Sequence, residues 1–202
     1  GIGRRHLAQL GLHASLGLAV LTKGPVGFLV PLLVIASFLA WERRLRDLPR
    51  AFPWWGLAIS IGPGLAWIAS AVALAPEGFF GDAVVENLLG RFFSGTSHAR
   101  PFYYYVWQFP AETLPWILFA PAVAWAARTR IFRTDADAEE QRAWRLLLAW
   151  VGATLLFFSL SSGKRGLYLL PLLPATSLLL ADALGRWVES ARRIPPLFHV
   201  VT

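Results

Sequence analysis

The stretch that decides the fold is Pro25-Val26-Gly27-Phe28-Leu29-Val30-Pro31-Leu32-Leu33-Val34-Ile35-Ala36-Ser37-Phe38-Leu39-Ala40-Trp41, which carries no charge. Five further apolar blocks cover residues 6–22, 54–75, 111–127, 144–160 and 167–185. Each block has 17–22 residues, close to the roughly 20 that a helix needs to cross a bilayer. Because none alternates apolar and polar residues as a barrel strand does, the sequence predicts an all-α, polytopic transmembrane bundle of about six helices.

The composition separates this chain from soluble proteins. Residues of the set AVILMFWYC make up 56% of it and charged residues 15%, whereas charged residues are roughly 25% of ordinary soluble domains. Because Cys is absent and the His residues form no cluster, the sequence offers neither a disulfide framework nor a metal site. We therefore expect no metal and no cofactor. The formal charge of +7 indicates membrane orientation rather than a nucleic-acid partner.

The basic residues sort by side of the membrane. If the chain crosses six times, fourteen of the 19 basic residues lie in stretches that share one side. Those stretches are residues 4–5, 42–50, 128–145 and 186–193. The positive-inside rule makes that side cytoplasmic. The five remaining basic residues are then external: Lys23, Arg91, Arg100, Lys164 and Arg165.

The longest external loop covers roughly residues 76–110. Within it, residues 77–93 place Phe80, Val84 and Leu88 at intervals of four, which predicts an amphipathic helix lying in the headgroup region. The loop then becomes rich in aromatic residues. These rings fit an interfacial belt, and the tyrosines could instead stack on a sugar or form hydrogen bonds with it. The tyrosines concerned are Tyr103, Tyr104 and Tyr105.

Two tight external turns carry cations without an acidic neighbour in sequence. Lys23 lies in the turn 22–25, and Lys164 and Arg165 lie in the turn 161–166. Such side chains either extend to lipid headgroups or converge on one anion, for which Arg and Lys suit a lipid-linked phosphate. The external carboxylate Glu86 either pairs locally with a base or takes part in chemistry.

Three other polar features predict structural roles. His13 lies within the first apolar block, where packing against a neighbouring helix is the expected role. Asp182 lies near the inner end of the sixth block and is expected to pack between helices or at the interface. The acidic run 135–140 is expected to start a helix, because acids favour helix N-termini.

Several short motifs occur together in a fixed order. They are Leu21-Thr22-Lys23-Gly24-Pro25-Val26-Gly27, Glu86-Asn87 with Arg91-Phe92, Arg100-Pro101-Phe102-Tyr103-Tyr104-Tyr105, Pro115-Trp116, and Phe158-Ser159-Leu160-Ser161-Ser162-Gly163-Lys164-Arg165 with Tyr168-Leu169-Leu170-Pro171 and Pro174. In order and spacing they resemble bacterial GT-C-type glycosyltransferases. The nearest relatives are the transferases that move 4-amino-4-deoxy-L-arabinose to lipid A, and the protein O-mannosyltransferases are more distant.

The resemblance implies a multi-pass enzyme of the bacterial inner membrane that uses a polyprenyl-phosphate sugar donor. It implies inverting transfer on the periplasmic side, to lipid A, to protein or to another envelope glycan. External basic residues would bind the donor phosphate: Lys23 first, then Arg91, Arg100, Lys164 and Arg165. Contacts to the sugar or the acceptor are expected from Glu86, Tyr103, Tyr104, Tyr105 and Tyr168.

The chain departs from the family's pattern at one place. The family's catalytic acid lies in its first external loop, and this chain has no equivalent of that loop or of the C-terminal soluble domain. The chain also lacks Met and starts at Gly1. We therefore expect residues 1–202 to form a partial GT-C-type transmembrane domain that holds part of the donor site without the general base, and to be inactive alone.

Two rival functions come from other classes. A transporter or flippase for an anionic lipid or solute would also use external cations and aromatic residues, but it should carry ionisable residues near the midplane of the membrane. The second to fifth apolar blocks carry almost none, which favours an enzyme that works at the surface. A purely structural subunit would leave both basic turns without a purpose.

Overall fold

In the computed structural model, the described residues are 2–74, 100–132 and 137–192. Their α-helices are α1 (Ile2–Lys23), α2 (Val26–Trp41), α3 (Leu48–Ala51), α4 (Trp54–Leu74), α5 (Tyr104–Glu112), α6 (Ala120–Phe132), α7 (Ala138–Leu160) and α8 (Leu173–Arg192). Short 3-10 helices cover Leu45–Asp47, Trp116–Phe119 and Gly166–Leu172. The predicted all-α class is confirmed. The amphipathic helix predicted for residues 77–93 lies outside the described residues.

Three stretches of the described chain are long and apolar enough to cross a membrane. They are Trp54–Leu74, Ala138–Leu160 and Gly166–Glu189, and the last joins a 3-10 helix to α8. α2 is equally apolar but has only 16 residues. α1 has 22 residues and carries Arg4 and Arg5 in its first turn, which make that turn polar. These helices agree with the membrane bundle that the sequence predicts.

The fourth predicted block, residues 111–127, is divided in the structure. α5 ends at Glu112, and residues 113–115 separate it from the 3-10 helix Trp116–Phe119 and from α6. Pro115 explains the break, because proline lacks a backbone N–H and disfavours helical conformation in the residue before it. α6 then continues to Phe132, past the predicted end of the block.

The directions of the helices follow from contacts along their lengths. Arg145 near the start of α7 donates to Glu42 just after α2, with Nη1 and Oε1 2.7 Å apart. Val30 near the start of α2 and Phe158 near the end of α7 belong to one buried cluster. α2 and α7 are therefore antiparallel, as two crossings in opposite directions require.

α1 and α4 run parallel and approach closely. The ring of the buried His13 places Nδ1 2.9 Å from Ser60 Oγ and Nε2 3.2 Å from the carbonyl oxygen of Ala51. Because a carbonyl only accepts, Nε2 carries the proton and Nδ1 accepts from the hydroxyl. Further along both helices, Val20 lies against Gly64. The packing role predicted for His13 is confirmed, and both helices cross in the same direction.

Acidic and basic side chains pair at one end of the bundle, which we call the arginine-rich end. Arg130 is 7% exposed, and its guanidinium contacts Glu140 at 2.5 Å and Asp182 at 3.3 Å. It also lies over the ring of Trp144, whose Nε1 donates to Asp182 at 3.2 Å. Because Asp182 joins α6, α7 and α8, the predicted packing role for this residue is confirmed.

The acidic run begins α7, as predicted. Asp137 precedes the first turn, and its side chain accepts from the backbone N–H of Glu139 at 3.1 Å. Glu139 and Glu140 lie in that first turn, where negative charge complements the helix dipole. Residues 135 and 136 lie outside the described residues.

The opposite end of the bundle, which we call the site end, carries the α1–α2 turn and the turn 161–166. Both turns lie there because α2 and α7 are antiparallel. A buried apolar cluster beneath them joins α2, α5, α7 and the 3-10 helix Gly166–Leu172. Its members are Val30, Val34, Tyr105, Phe158, Leu169 and Leu172. This cluster holds α5 against the turn 161–166.

Candidate functional site

The turn that follows α7 is organised around a buried lysine. Lys164 is 4% exposed, and its Nζ donates to the carbonyl of Arg100 at 3.1 Å and to that of Ser161. Ser161 is extended, and its hydroxyl donates to the carbonyl of Gly163 at 3.2 Å. Burial disfavours the charged ammonium and lowers the pKa of Lys164.

Arg100 is tied to this turn although 64 residues separate it from Lys164. Its backbone N–H donates to the carbonyl of Ser162 at 3.3 Å. The side chain of Arg100 is exposed, and its Cζ lies 5.7 Å from the centre of the Tyr104 ring, within cation–π range. Backbone hydrogen bonds in both directions therefore hold this arginine at the site end.

Two tyrosines fix the backbone of Arg165. The hydroxyl of the buried Tyr105 donates to the Arg165 carbonyl at 3.1 Å, and the backbone N–H of Tyr168 donates to the same carbonyl at 3.1 Å. The Tyr168 ring stacks on Phe158, with centres 5.0 Å apart. Burial raises the pKa of Tyr105. Tyr103, by contrast, is exposed.

The side chain of Arg165 is exposed, although its backbone is held. Among the described residues it forms no ion pair. An exposed guanidinium on a fixed backbone can present two parallel N–H donors to a phosphate or carboxylate. Of the three cations gathered here, Arg165 and Arg100 are the accessible ones, and Lys164 lies beneath them.

Lys23 lies at the same end but apart from this cluster. It is exposed and ends α1, and Gly24 follows with φ 69° and donates to the carbonyl of Val20 at 2.8 Å. This is the left-handed helix termination that glycine favours. Val26, at the start of α2, packs against the buried cluster that contains Tyr105. Within the described ranges, no contact joins Lys23 to Arg100, Lys164 or Arg165.

An apolar cavity opens beside the Lys23 turn. Its volume is about 330 Å³, and α1, α2 and α4 line it together with the turn. Lining residues include Val20, Leu21, Pro25, Phe28, Gly64 and Trp67. The cavity offers hydrocarbon contacts and no ionisable side chain.

A carboxylate that the sequence analysis did not single out also lies at the site end. Gln108 Nε2 donates to Glu112 Oε1 at 2.6 Å. A Cβ added to Gly166 would lie 1.8 Å from the same oxygen, so only glycine permits this approach. The signal in the sequence was one charge at the outer boundary of an otherwise apolar block, residues 111–127.

The described part of the chain holds no group of three His, Asp or Glu side chains that could bind a metal ion. Its other carboxylates lie toward the arginine-rich end. They are Glu42, Asp47, Asp137, Glu139, Glu140, Asp182 and Glu189. The site end is therefore a cationic and aromatic surface with one described carboxylate.

Comparison with known proteins relates the chain to a group of enzymes. No model of a known protein family matches the chain. The chain is 32% identical over 184 residues to the undecaprenyl phosphate-alpha-4-amino-4-deoxy-L-arabinose arabinosyl transferase 2 of Pseudomonas fluorescens Pf-5. The aligned region covers 89% of this chain and 29% of that protein. The corresponding transferase of Erwinia tasmaniensis is 32% identical over 176 residues, with 85% and 29% covered.

A solved structure agrees with these sequence matches. ArnT from Cupriavidus metallidurans, crystallised with undecaprenyl phosphate bound, superposes with a TM-score of 0.72 and 24% identity over 94% of this chain and 34% of that chain. The chain is a homologue of the aminoarabinose transferases. The resemblance found in the sequence is thereby confirmed. This homologue spans about three tenths of the length of the curated relatives that it matches.

The structure of this aminoarabinose transferase homologue gathers most of the predicted site residues. Arg100, Tyr104, Tyr105, Lys164, Arg165 and Tyr168 meet around the turn 161–166. Lys23 and Tyr103 lie at the same end without joining the cluster. Glu86 and Arg91 lie outside the described residues. Every functional role given to these residues stays a prediction.

Proposed function

We propose that the whole protein transfers a sugar from a polyprenyl-phosphate donor to an envelope acceptor, with lipid A first among the candidates. The observation that carries the proposal is the meeting of Arg100, Lys164 and Arg165 with Tyr105 and Tyr168 at one end of a membrane bundle. These residues come from two stretches far apart in sequence. The homologues named above are aminoarabinosyl transferases with an undecaprenyl-phosphate donor, which supports the same chemistry here.

The proposed reaction needs stabilised negative charge on the donor phosphate. As the acceptor hydroxyl oxygen attacks the anomeric carbon, the carbon–oxygen bond to phosphate breaks and its electron pair moves onto the phosphate oxygen. Cations fixed in place before the reaction stabilise that charge without reorganising. Arg165 and Arg100 would contact the phosphate directly, and Lys164 would add positive charge from beneath. The hydroxyl proton passes to a general base, which the family resemblance places in the first external loop.

The proposed active face is periplasmic, in the inner membrane. The arginine-rich end carries most of the basic residues of the described chain, and the positive-inside rule assigns such an end to the cytoplasm. The parallel and antiparallel helix pairs support the alternating crossings on which that assignment depends. Lys23, Arg100, Lys164 and Arg165 then all face the periplasm.

The transporter alternative gains no support from α2, α4 or α7. Neither α2 nor α4 carries an ionisable side chain, and the acids and bases of α7 lie in its first turns. A transporter would need such groups near the midplane. Chemistry at the membrane surface fits the positions of the charges better.

The proposal is tested by replacing Arg165 in the full-length gene product. We expect Arg165→Ala to raise the KM for a polyprenyl-phosphate sugar and to lower kcat/KM by about 10- to 100-fold, the value of a hydrogen bond to a charged group. Arg165→Lys should recover part of the loss, because it restores the charge but not the paired donors. Transfer to lipid A in isolated membranes, followed by mass spectrometry, measures the effect.

A matched control uses the opposite end of the bundle. Arg46 is also an exposed arginine in a connecting segment, and Arg46→Ala should leave transfer unchanged. The proposal is wrong if the wild-type protein transfers no sugar from any polyprenyl-phosphate donor, or if Arg165→Ala keeps the wild-type kcat/KM.

A further inference from the structure

Lys164 is a buried cation without a carboxylate partner. Only 4% of the residue is exposed, and none of the acids that the structure describes forms an ion pair with its ammonium group. Arg130, which is also buried, pairs with Glu140 and Asp182 at the arginine-rich end. The burial of an unpaired ammonium group costs stability, and hydrogen bonds to other groups have to compensate for that cost.

The hydrogen bonds of Lys164 join two distant parts of the chain. Its Nζ donates to the carbonyl of Ser161 in its own turn and, at 3.1 Å, to the carbonyl of Arg100. The backbone N–H of Arg100 donates in turn to the carbonyl of Ser162 at 3.3 Å. The turn 161–166 therefore binds both backbone polar groups of Arg100. The bond from the ammonium is the stronger of the two, because a charged donor roughly doubles the strength of a hydrogen bond.

These contacts fix the backbone of one exposed arginine next to that of another. Arg165 follows Lys164 directly in the chain, and the hydroxyl of Tyr105 holds its carbonyl at 3.1 Å. The side chains of Arg100 and Arg165 are both exposed. Two guanidinium groups on backbones that are held together can bind one phosphate without first moving into place. Preorganisation of this kind strengthens binding and stabilises charge that develops during a reaction.

We propose that Lys164 is a positioning residue, which holds the backbone of Arg100 against the turn 161–166 so that Arg100 and Arg165 bind one donor phosphate together. The inference rests on the proposed function, because it needs a phosphate at this site. It goes beyond that function, in which Lys164 contributes only its positive charge. If Lys164 acts through Arg100, its effect on the reaction depends on the presence of the Arg100 guanidinium.

A double-mutant cycle in the full-length protein tests this dependence. Lys164→Met keeps an unbranched side chain of similar length and removes the ammonium donor. We expect it to raise the KM for a polyprenyl-phosphate sugar and to lower kcat/KM by about tenfold, the value of one hydrogen bond from a charged group. In a protein that already carries Arg100→Ala, Lys164→Met should change kcat/KM by less than about twofold, because no guanidinium remains to be positioned.

Ser60→Ala provides a control for lost stability. Ser60 is buried, and its Oγ lies 2.9 Å from Nδ1 of His13, so this variant removes a buried hydrogen bond between α1 and α4. It should lower the Tm in detergent and leave the KM for the donor unchanged. Lys164→Gln, whose amide still donates without carrying charge, should show a smaller loss with the same dependence on Arg100. It keeps the cycle available if Lys164→Met does not fold.

The outcomes separate the inference from the function on which it rests. An ammonium that acts on the phosphate through its own charge would lower kcat/KM equally with and without the Arg100 guanidinium, and the inference would be wrong. It is also wrong if Lys164→Met lowers the Tm but keeps the wild-type KM, since Lys164 then has a structural role alone. If Arg165→Ala also keeps the wild-type kcat/KM, the proposed function itself fails.

Discussion

Replacing Gly27 by alanine should force α1 and α2 apart at the turn that carries Lys23. A Cβ on Gly27 would lie 2.4 Å from the carbonyl oxygen of Ala19, 2.5 Å from its carbonyl carbon and 2.9 Å from the backbone nitrogen of Val20. All three are backbone atoms of α1, so no side-chain rotation relieves the overlap. Because ordinary contact begins at 3.4 Å, the two backbones must separate by about 1 Å, which removes much of the dispersion attraction between them.

The expected cost follows from two opposing effects. Overpacking of this kind destabilises proteins by about 1–3 kcal/mol, and replacing glycine by alanine in a helix returns about 0.5–1 kcal/mol. Because Gly27 lies in the first turn of α2, the helix gain is at the low end. We therefore expect Gly27→Ala to lower the free energy of unfolding by roughly 1–2 kcal/mol.

Gly152 provides the matched control. It lies inside α7, and a Cβ added there would meet no atom within 4 Å. Gly152→Ala should therefore stabilise the protein by about 0.5–1 kcal/mol. A difference of roughly 2 kcal/mol between the two variants corresponds to about 4–8 °C in Tm. Tryptophan fluorescence of the purified protein in detergent measures both melting curves, and equal Tm values would refute the close approach of α1 and α2.

Three further predictions use other contacts. Lys23 and Lys164 are the only lysines in the chain, and an amine-reactive reagent should modify Lys23 while the folded protein protects the buried Lys164. Peptide mass spectrometry measures the labelling of both lysines, and equal labelling would contradict the burial of Lys164. Tyr105→Phe removes one hydrogen bond to the turn 161–166 and should lower stability by about 0.5–1.5 kcal/mol in thermal unfolding, whereas an unchanged Tm would show that the bond contributes nothing. Glu42→Gln removes the negative charge that Arg145 pairs with at 2.7 Å. It should cost roughly 2 kcal/mol, below the range for fully buried pairs because the arginine is partly exposed. Thermal unfolding at low and high salt measures the effect, and an unchanged Tm at low salt would contradict the prediction.

The sequence by itself determined the class of fold, and it predicted which connections share a side of the membrane. An apolar block of membrane length forms a helix in lipid, because the helix satisfies the hydrogen bonds of its own backbone N–H and C=O groups. The uneven distribution of arginine then predicts which loops share a side. Both properties are local, because each depends on residues that are neighbours along the chain. The same reasoning failed at residues 111–127, where Pro115 divides a block that is apolar enough for one helix.

Only the tertiary structure decided which outer residues meet. Arg100 and Lys164 are far apart in sequence, and their contact depends on α5 docking against the buried cluster around Phe158. The sequence treated Lys164 as an exposed cation like Lys23, and the fold buries it against two backbone carbonyls. Glu112 was missed in the sequence for the same reason: its carboxylate lies against Gly166, and that approach is set by the packing of helices and not by any pattern along the chain.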